Sequence, residues 1–112
     1  MPDPYYHDSR PSRSARSFSG AVTVAGTPQQ ITIADLPCIR IWIQSNVSNG
    51  VLANDGVLVV GGDGIIATEA TRKGRALYAN QGDWFSVRNA NSLWIDSTDS
   101  GAKYHGIVEI HE

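Results

Sequence analysis

The amino-acid sequence predicts an all-β domain, an antiparallel β-sandwich or jelly roll of about eight strands with an extended N-terminal arm. Three observations carry that expectation. Short apolar runs with a period of two recur from Phe18 onward; glycine, proline, asparagine and aspartate cluster between them; and no segment of adequate length has a helical period. At 112 residues the chain has room for one domain with a two-layer core.

Residues 1–17, MPDPYYHDSRPSRSARS, hold three prolines, four serines and three arginines and no apolar periodicity. Such a segment buries too little surface to offset its chain entropy, so the expected division is a flexible basic arm over 1–17 and a β-sandwich over 18–112. Tyr5 and Tyr6 form an aromatic pair able to anchor the arm on a partner, and Arg10, Arg13 and Arg16 supply its charge. An ordinary loose terminus is the plainer alternative.

The clearest strand is Cys38 to Gln44, where Ile39, Ile41 and Ile43 alternate with Arg40, Trp42 and Gln44. Further strands are expected over Gly20 to Val24, Gln30 to Ile33, Val57 to Val60, Ile65 to Thr68, Arg75 to Tyr78, Trp84 to Arg88, Leu93 to Asp96 and His105 to Ile110. Turn signals separate them, among them Gly26-Thr27-Pro28, Leu36-Pro37, Asn49-Gly50, Asp55-Gly56, Gly61 to Gly64, Gln81-Gly82-Asp83, Asn89 to Asn91 and Ser100-Gly101.

The three tryptophans fall out of phase with this core. Trp42 lies between isoleucines, Trp94 lies between Leu93 and Ile95, and Trp84 shares a phase with Ser86 and Arg88. Large aromatics on a polar phase are enriched at the centres of interfaces, so Trp42, Trp84 and Trp94 are the expected contacts with another subunit or partner. The alternative is that one sheet has the opposite facing, or that the rings cap the ends of the sandwich.

Charge and motifs narrow the function classes. The formal net charge is −2, and the body left after the arm holds six basic and nine acidic groups, so neither nucleic acid nor an anionic membrane is an expected partner. No apolar run approaches the roughly 18 residues of a membrane span, and no secretory leader is visible, so Asn46-Val47-Ser48 carries no weight as a glycosylation acceptor. The lone Cys38 reads as a small buried hydrophobe.

No catalytic, metal or cofactor set is expected. The glycine-rich VVGGDGI of Val59 to Ile65 lacks the Gly-Lys-Ser/Thr ending and following helix of a phosphate loop, and reads as a tight turn with glycines at positive φ. His7, His105 and His111 are scattered without metal-ligand spacing. Asp55, Asp63, Asp83, Asp96 and Asp99 all fall at expected turns or strand ends, and Arg72-Lys73-Gly74-Arg75 reads as a solvated loop. Nothing spells a nucleophile elbow or a triad, so no enzymatic activity is expected.

In order, the chain runs VTVAGTPQQI (22–31), LPCIRIWIQ (36–44), VLVVGGDGI (57–65), QGDWFSV (81–87) and NANSLWIDSTDSGAKYHGIVEI (89–110). This series resembles the small tailed-bacteriophage virion proteins of the capsid decoration, or cement, type, over about 90 residues. The resemblance implies a β-sandwich bound to the outside of the virion capsid, commonly as a homotrimer, with the major capsid protein as partner and no shared catalytic residues. Some proteins of this kind belong instead to head fibres or tails, which leaves a host-attachment or carbohydrate-binding module as the alternative. A basic arm fits the cement role, since a flexible segment can order on neighbouring acidic subunits and multiply weak contacts.

Overall fold

The computed structural model describes residues 13–46 and 57–111. Alternation places Ile41 and Ile43 of one strand wholly out of solvent, and the same rule builds the rest. Among the described residues eight strands form: β1 (Arg13–Ala21), β2 (Gln29–Gln30), β3 (Arg40–Ser45), β4 (Leu58–Gly61), β5 (Arg75–Leu77), β6 (Gly82–Phe85), β7 (Trp94–Ser97) and β8 (Lys103–His111).

They make two four-stranded antiparallel sheets, β1-β8-β3-β6 and β2-β7-β4-β5. β1 pairs with β8, β2 with β7, β3 with β6 and β4 with β5, as if one long hairpin had been rolled up; β3·β8 and β4·β7 then close the two sheets. That is the jelly roll, the expected fold class. The helical content among the described residues is two single turns of 3-10 helix, Glu69–Thr71 and Ala90–Ser92.

The core lies between the sheets. Ile41 and Ile43 of β3 and Tyr104, Val108 and Ile110 of β8 meet Leu58, Val60, Leu77 and Ile95 from the other layer. Each such aliphatic side chain contributes about 1.5–3 kcal/mol by leaving water. The uninterrupted Val57 to Val60 run has a separate cause. Leu58 and Val60 point into the main core, while Val57 and Val59 join Ile65, Ala67, Ala76 and Trp94 in a second cluster. A strand covered on both sides needs no alternation.

The chain from Gly62 to Gly74 provides that cover. Ile66 and Lys73 exchange backbone hydrogen bonds, both 3.0 Å, and the Arg72 guanidinium donates twice to the Ala67 carbonyl, at 3.1 and 2.9 Å. The strand expected over Ile65 to Thr68 is therefore a single bridge followed by a 3-10 turn. Gly61, Gly62 and Gly64 do not have positive φ; among the described glycines Gly26, Gly74 and Gly101 do. Gly61 is needed for packing, since a Cβ there would lie 2.7 Å from the Ile65 Cγ2 methyl.

The N-terminal boundary also moves. β1 starts at Arg13 and pairs with β8 along its whole length, from Arg13 opposite His111 to Ala21 opposite Lys103. Residues 13–17, expected as the end of the arm, are thus rungs of a sheet. Their composition hid this because β1 is an edge strand: Ala15, Ser17 and Ser19 face outward, and Phe18 is the main apolar contact with the core. Tyr5, Tyr6, Arg10 and His7, and the turns at Asn49-Gly50 and Asp55-Gly56, lie outside the described residues.

Candidate interaction surface

The outward face of the first sheet is built by parity. Along β8, buried Tyr104, Gly106, Val108 and Ile110 alternate with outward Lys103, His105, Ile107 and Glu109; along β3, Arg40, Trp42 and Gln44 point the same way. β6 adds Trp84 directly opposite Trp42, while Phe85 and Ile41 form the next pair, inward.

The two indoles touch edge to face, with ring centroids 5.6 Å apart and planes at 63°. This is one of the geometries that aromatic quadrupoles favour. Trp42 lies across Gly82, where a Cβ would collide with its six-membered ring. It is half-buried, whereas Trp84 remains 40% exposed and Ile107, opposite Trp42 on the other flank, 39% exposed.

Arg40 ties the aromatic pair to β8. Its Cζ sits 3.9 Å from the centre of the Trp84 ring, and its Nε donates to Glu109 Oε1 at 2.8 Å. Arg40 and Glu109 are themselves cross-strand neighbours, so one carboxylate, one guanidinium and two indoles cross three strands as a connected row. The ion pair alone contributes little in this exposed position, about 0.2–1 kcal/mol. Its consequence is geometric, because it holds the cation over the ring and limits the rotamers of Trp84.

Trp94 is placed differently. It faces out from the second sheet, as its phase indicates, but packs on the Val57, Val59, Ile65 and Ala67 cluster of its own chain. Of the expected arm contacts within the described residues, Arg13 and Arg16 belong to β1, opposite His111 and Val108, and the Arg16 side chain is exposed. The structure brings Trp42 and Trp84 together and leaves Trp94 on β7 and Arg13 and Arg16 on β1.

Three further chemistry-bearing residues, Asp96, Cys38 and His105, have structural partners. Asp96, expected at a strand end, is buried within β7, where its Oδ1 accepts from the backbone N–H of Gly26 at 3.0 Å and of Ser97 at 2.7 Å. The Cys38 thiol is buried and donates to the Val87 carbonyl at 3.3 Å, and burial raises its pKa above the ordinary value of 9.0. His105 Nδ1 meets the Asn46 amide at 3.0 Å. Among the described residues no group of three or more His, Cys, Asp or Glu side chains is gathered as metal ligands. No helix among them is long and apolar enough to cross a membrane.

Comparison with known proteins adds to the fold. No family model matches the chain, and no curated protein matches it. A solved structure from Bacillus endospore appendages, described as a novel family of disulfide-linked pili, superposes with a TM-score of 0.51. It is 12% identical over 92% of this chain and 91% of that one. At that identity the likeness is one of fold, and it extends over nearly the whole length of both chains.

Proposed function

We propose that the chain is a structural virion protein of the capsid decoration type, which docks on the major capsid protein through the outer face of its first sheet. The observation that carries this reading is the Glu109-Arg40-Trp84-Trp42 row. Tryptophan and arginine dominate binding energy at protein contacts, and side chains already held in one arrangement lose less entropy on docking. The resemblance of the sequence to decoration proteins supports the choice of partner. The segment before β1, with Tyr5, Tyr6 and Arg10, serves as a tether, and the homo-oligomer implied by the resemblance multiplies the contacts.

Co-sedimentation with tailed-phage capsids tests the proposal. Wild-type protein should pellet with the shells, and Trp84→Ser should remain in the supernatant while keeping its far-ultraviolet circular dichroism. Failure of the wild type to pellet would refute the reading.

A partly exposed indole on the outer face of a sheet also favours a second reading, a host-attachment module that stacks Trp84 on a sugar ring. Binding on a glycan array without affinity for capsids would select it. Disulfide linkage of copies, the feature named for the endospore pili, has one sulfur available in this sequence, Cys38, and it is buried.

A further inference from the structure

A jelly roll of two four-stranded sheets has four edge strands, and three of them here are blunted. β2 is two residues long and β5 three. β6 is four residues long; its Asp83 carboxylate accepts from the Trp84 N–H at 2.8 Å and holds Arg75 at 3.0 Å, which places charge along that edge. Short length and charge are the usual guards against strand addition. The fourth edge, β1, runs nine residues and presents Ala15, Ser17 and Ser19.

Hydrogen-bond direction alternates along antiparallel strands, so the free groups of β1 can be identified. The carbonyls of Lys103 and Glu109 accept from Asn46 and Ile39 on the β3 side, at 2.8 and 2.7 Å, while Val22 N–H donates to the Ala102 carbonyl at 2.8 Å. Odd residues of β8 therefore serve β3, and even ones serve β1. On β1 the even residues bond β8, which aims the N–H and C=O of Ala15, Ser17 and Ser19 away from the sheet. Gln29 takes the Ala21 carbonyl, at 3.2 Å, and no described residue takes the other three pairs.

We infer that this edge is a self-association site, where two copies of the chain join their first sheets through antiparallel β1 strands centred on Ser17. The strand is complementary to itself in that register. Ser17 faces Ser17 and Ala15 faces Ser19, each pair exchanging two backbone hydrogen bonds, with only small side chains between them. Arg16 then stands opposite Phe18 of the other copy. Both line a groove of about 240 Å³ with Ile31, Leu36 and Tyr104, so guanidinium and ring can pair there. The two Arg16 groups fall on diagonal positions, an exposed repulsion that water screens. Both copies use the same strand, so the contact is isologous, and with the other edges guarded it closes at two sheets without growing into a fibre.

The two-fold axis of such a pair is normal to the sheet. Both Trp42-Trp84 faces consequently look the same way, which makes the assembly bivalent toward any surface they dock on. The pairing itself rests on the strand edge and stands whether or not that surface is a capsid.

Sedimentation equilibrium of the full chain tests the inference. Ser17→Pro deletes an edge N–H that no described residue uses, and should halve the mass of the wild-type assembly while leaving its circular dichroism unchanged. Should proline distort β1, Ser17→Lys and Ser17→Glu decide: each alone should give the halved mass through like charges at the two-fold centre, and an equimolar mixture should restore the wild-type mass. A wild-type mass unchanged in Ser17→Lys, or a mixture that stays at the lower mass, would overturn the inference.

Discussion

Trp42 and Trp84 stand opposite each other on β3 and β6 with ring centroids 5.6 Å apart, yet they belong to different energetic classes. Trp42 is half-buried across Gly82, and Trp84 is the exposed partner. Removing Trp84 as alanine should cost about 1 kcal/mol of folding stability, the scale of an aromatic cross-strand pair. Trp42→Ala should cost about 2–3 kcal/mol, since it also uncovers the sheet beneath. Gly82→Ala should cost about 1–3 kcal/mol by overpacking against that ring. Urea denaturation of the three variants measures the order.

Trp94 should behave as a core residue. Its replacement by alanine opens the second cluster around Val57, Val59, Ile65 and Ala67, at a cost of about 2–4 kcal/mol after allowance for the exposed part of the ring. Capsid binding by the folded variant should match wild type. A Trp94→Ala protein of native stability would show that the cluster does not depend on its cap.

Truncation separates arm from sheet. Deleting residues 1–12 should leave melting unchanged within a few degrees and weaken capsid binding. Deleting 1–17 also removes the rungs from Arg13 opposite His111 to Ser17 opposite Ile107, and should lower the melting temperature by at least about 5 °C, since 1 kcal/mol moves the midpoint of a domain this size by about 4–8 °C. Equal melting of the two truncations would contradict the β1 pairing.

Alkaline pH should destabilise the fold through two buried groups. Burial raises Cys38 above its ordinary 9.0 and Tyr104 above its ordinary 10.0. The folded chain then holds protons that the unfolded chain releases, so stability is complete below about pH 9 and is lost as pH rises through and beyond those values. Melting temperature should be level from neutral pH to about 8.5 and fall above it, with a later fall in Cys38→Ala. The native thiol should also react with a disulfide reagent on the order of 10²-fold more slowly than in the unfolded chain, because reaction requires opening.

Legibility in the sequence followed burial. β3 could be read from its isoleucines because one face is wet and the other dry, and Val57 to Val60 because a doubly covered strand is apolar throughout. β1 could not, since an edge strand of serine, alanine and arginine has its pattern set by β8 rather than by its own side chains. The phases of Trp42 and Trp84 were visible, but their contact depends on the register of β3 against β6, which pairs residues 42 positions apart. Trp94 had the same outward phase and a different fate, because the segment that covers it, Gly62 to Gly74, offers no regular period. Asp96 resembled a turn residue and is instead a buried acceptor for the Gly26 turn, a pairing across 70 positions.

Oxidative footprinting of the three tryptophans, in the free chain and on capsids, is the most direct test of the docking face. Trp84 should lose most of its reactivity on the capsid, by about tenfold as a side chain enters a desolvated contact, while Trp94 reacts equally in both states. Equal oxidation of Trp84 free and bound would contradict the assignment of the first sheet's outer face as the surface that docks.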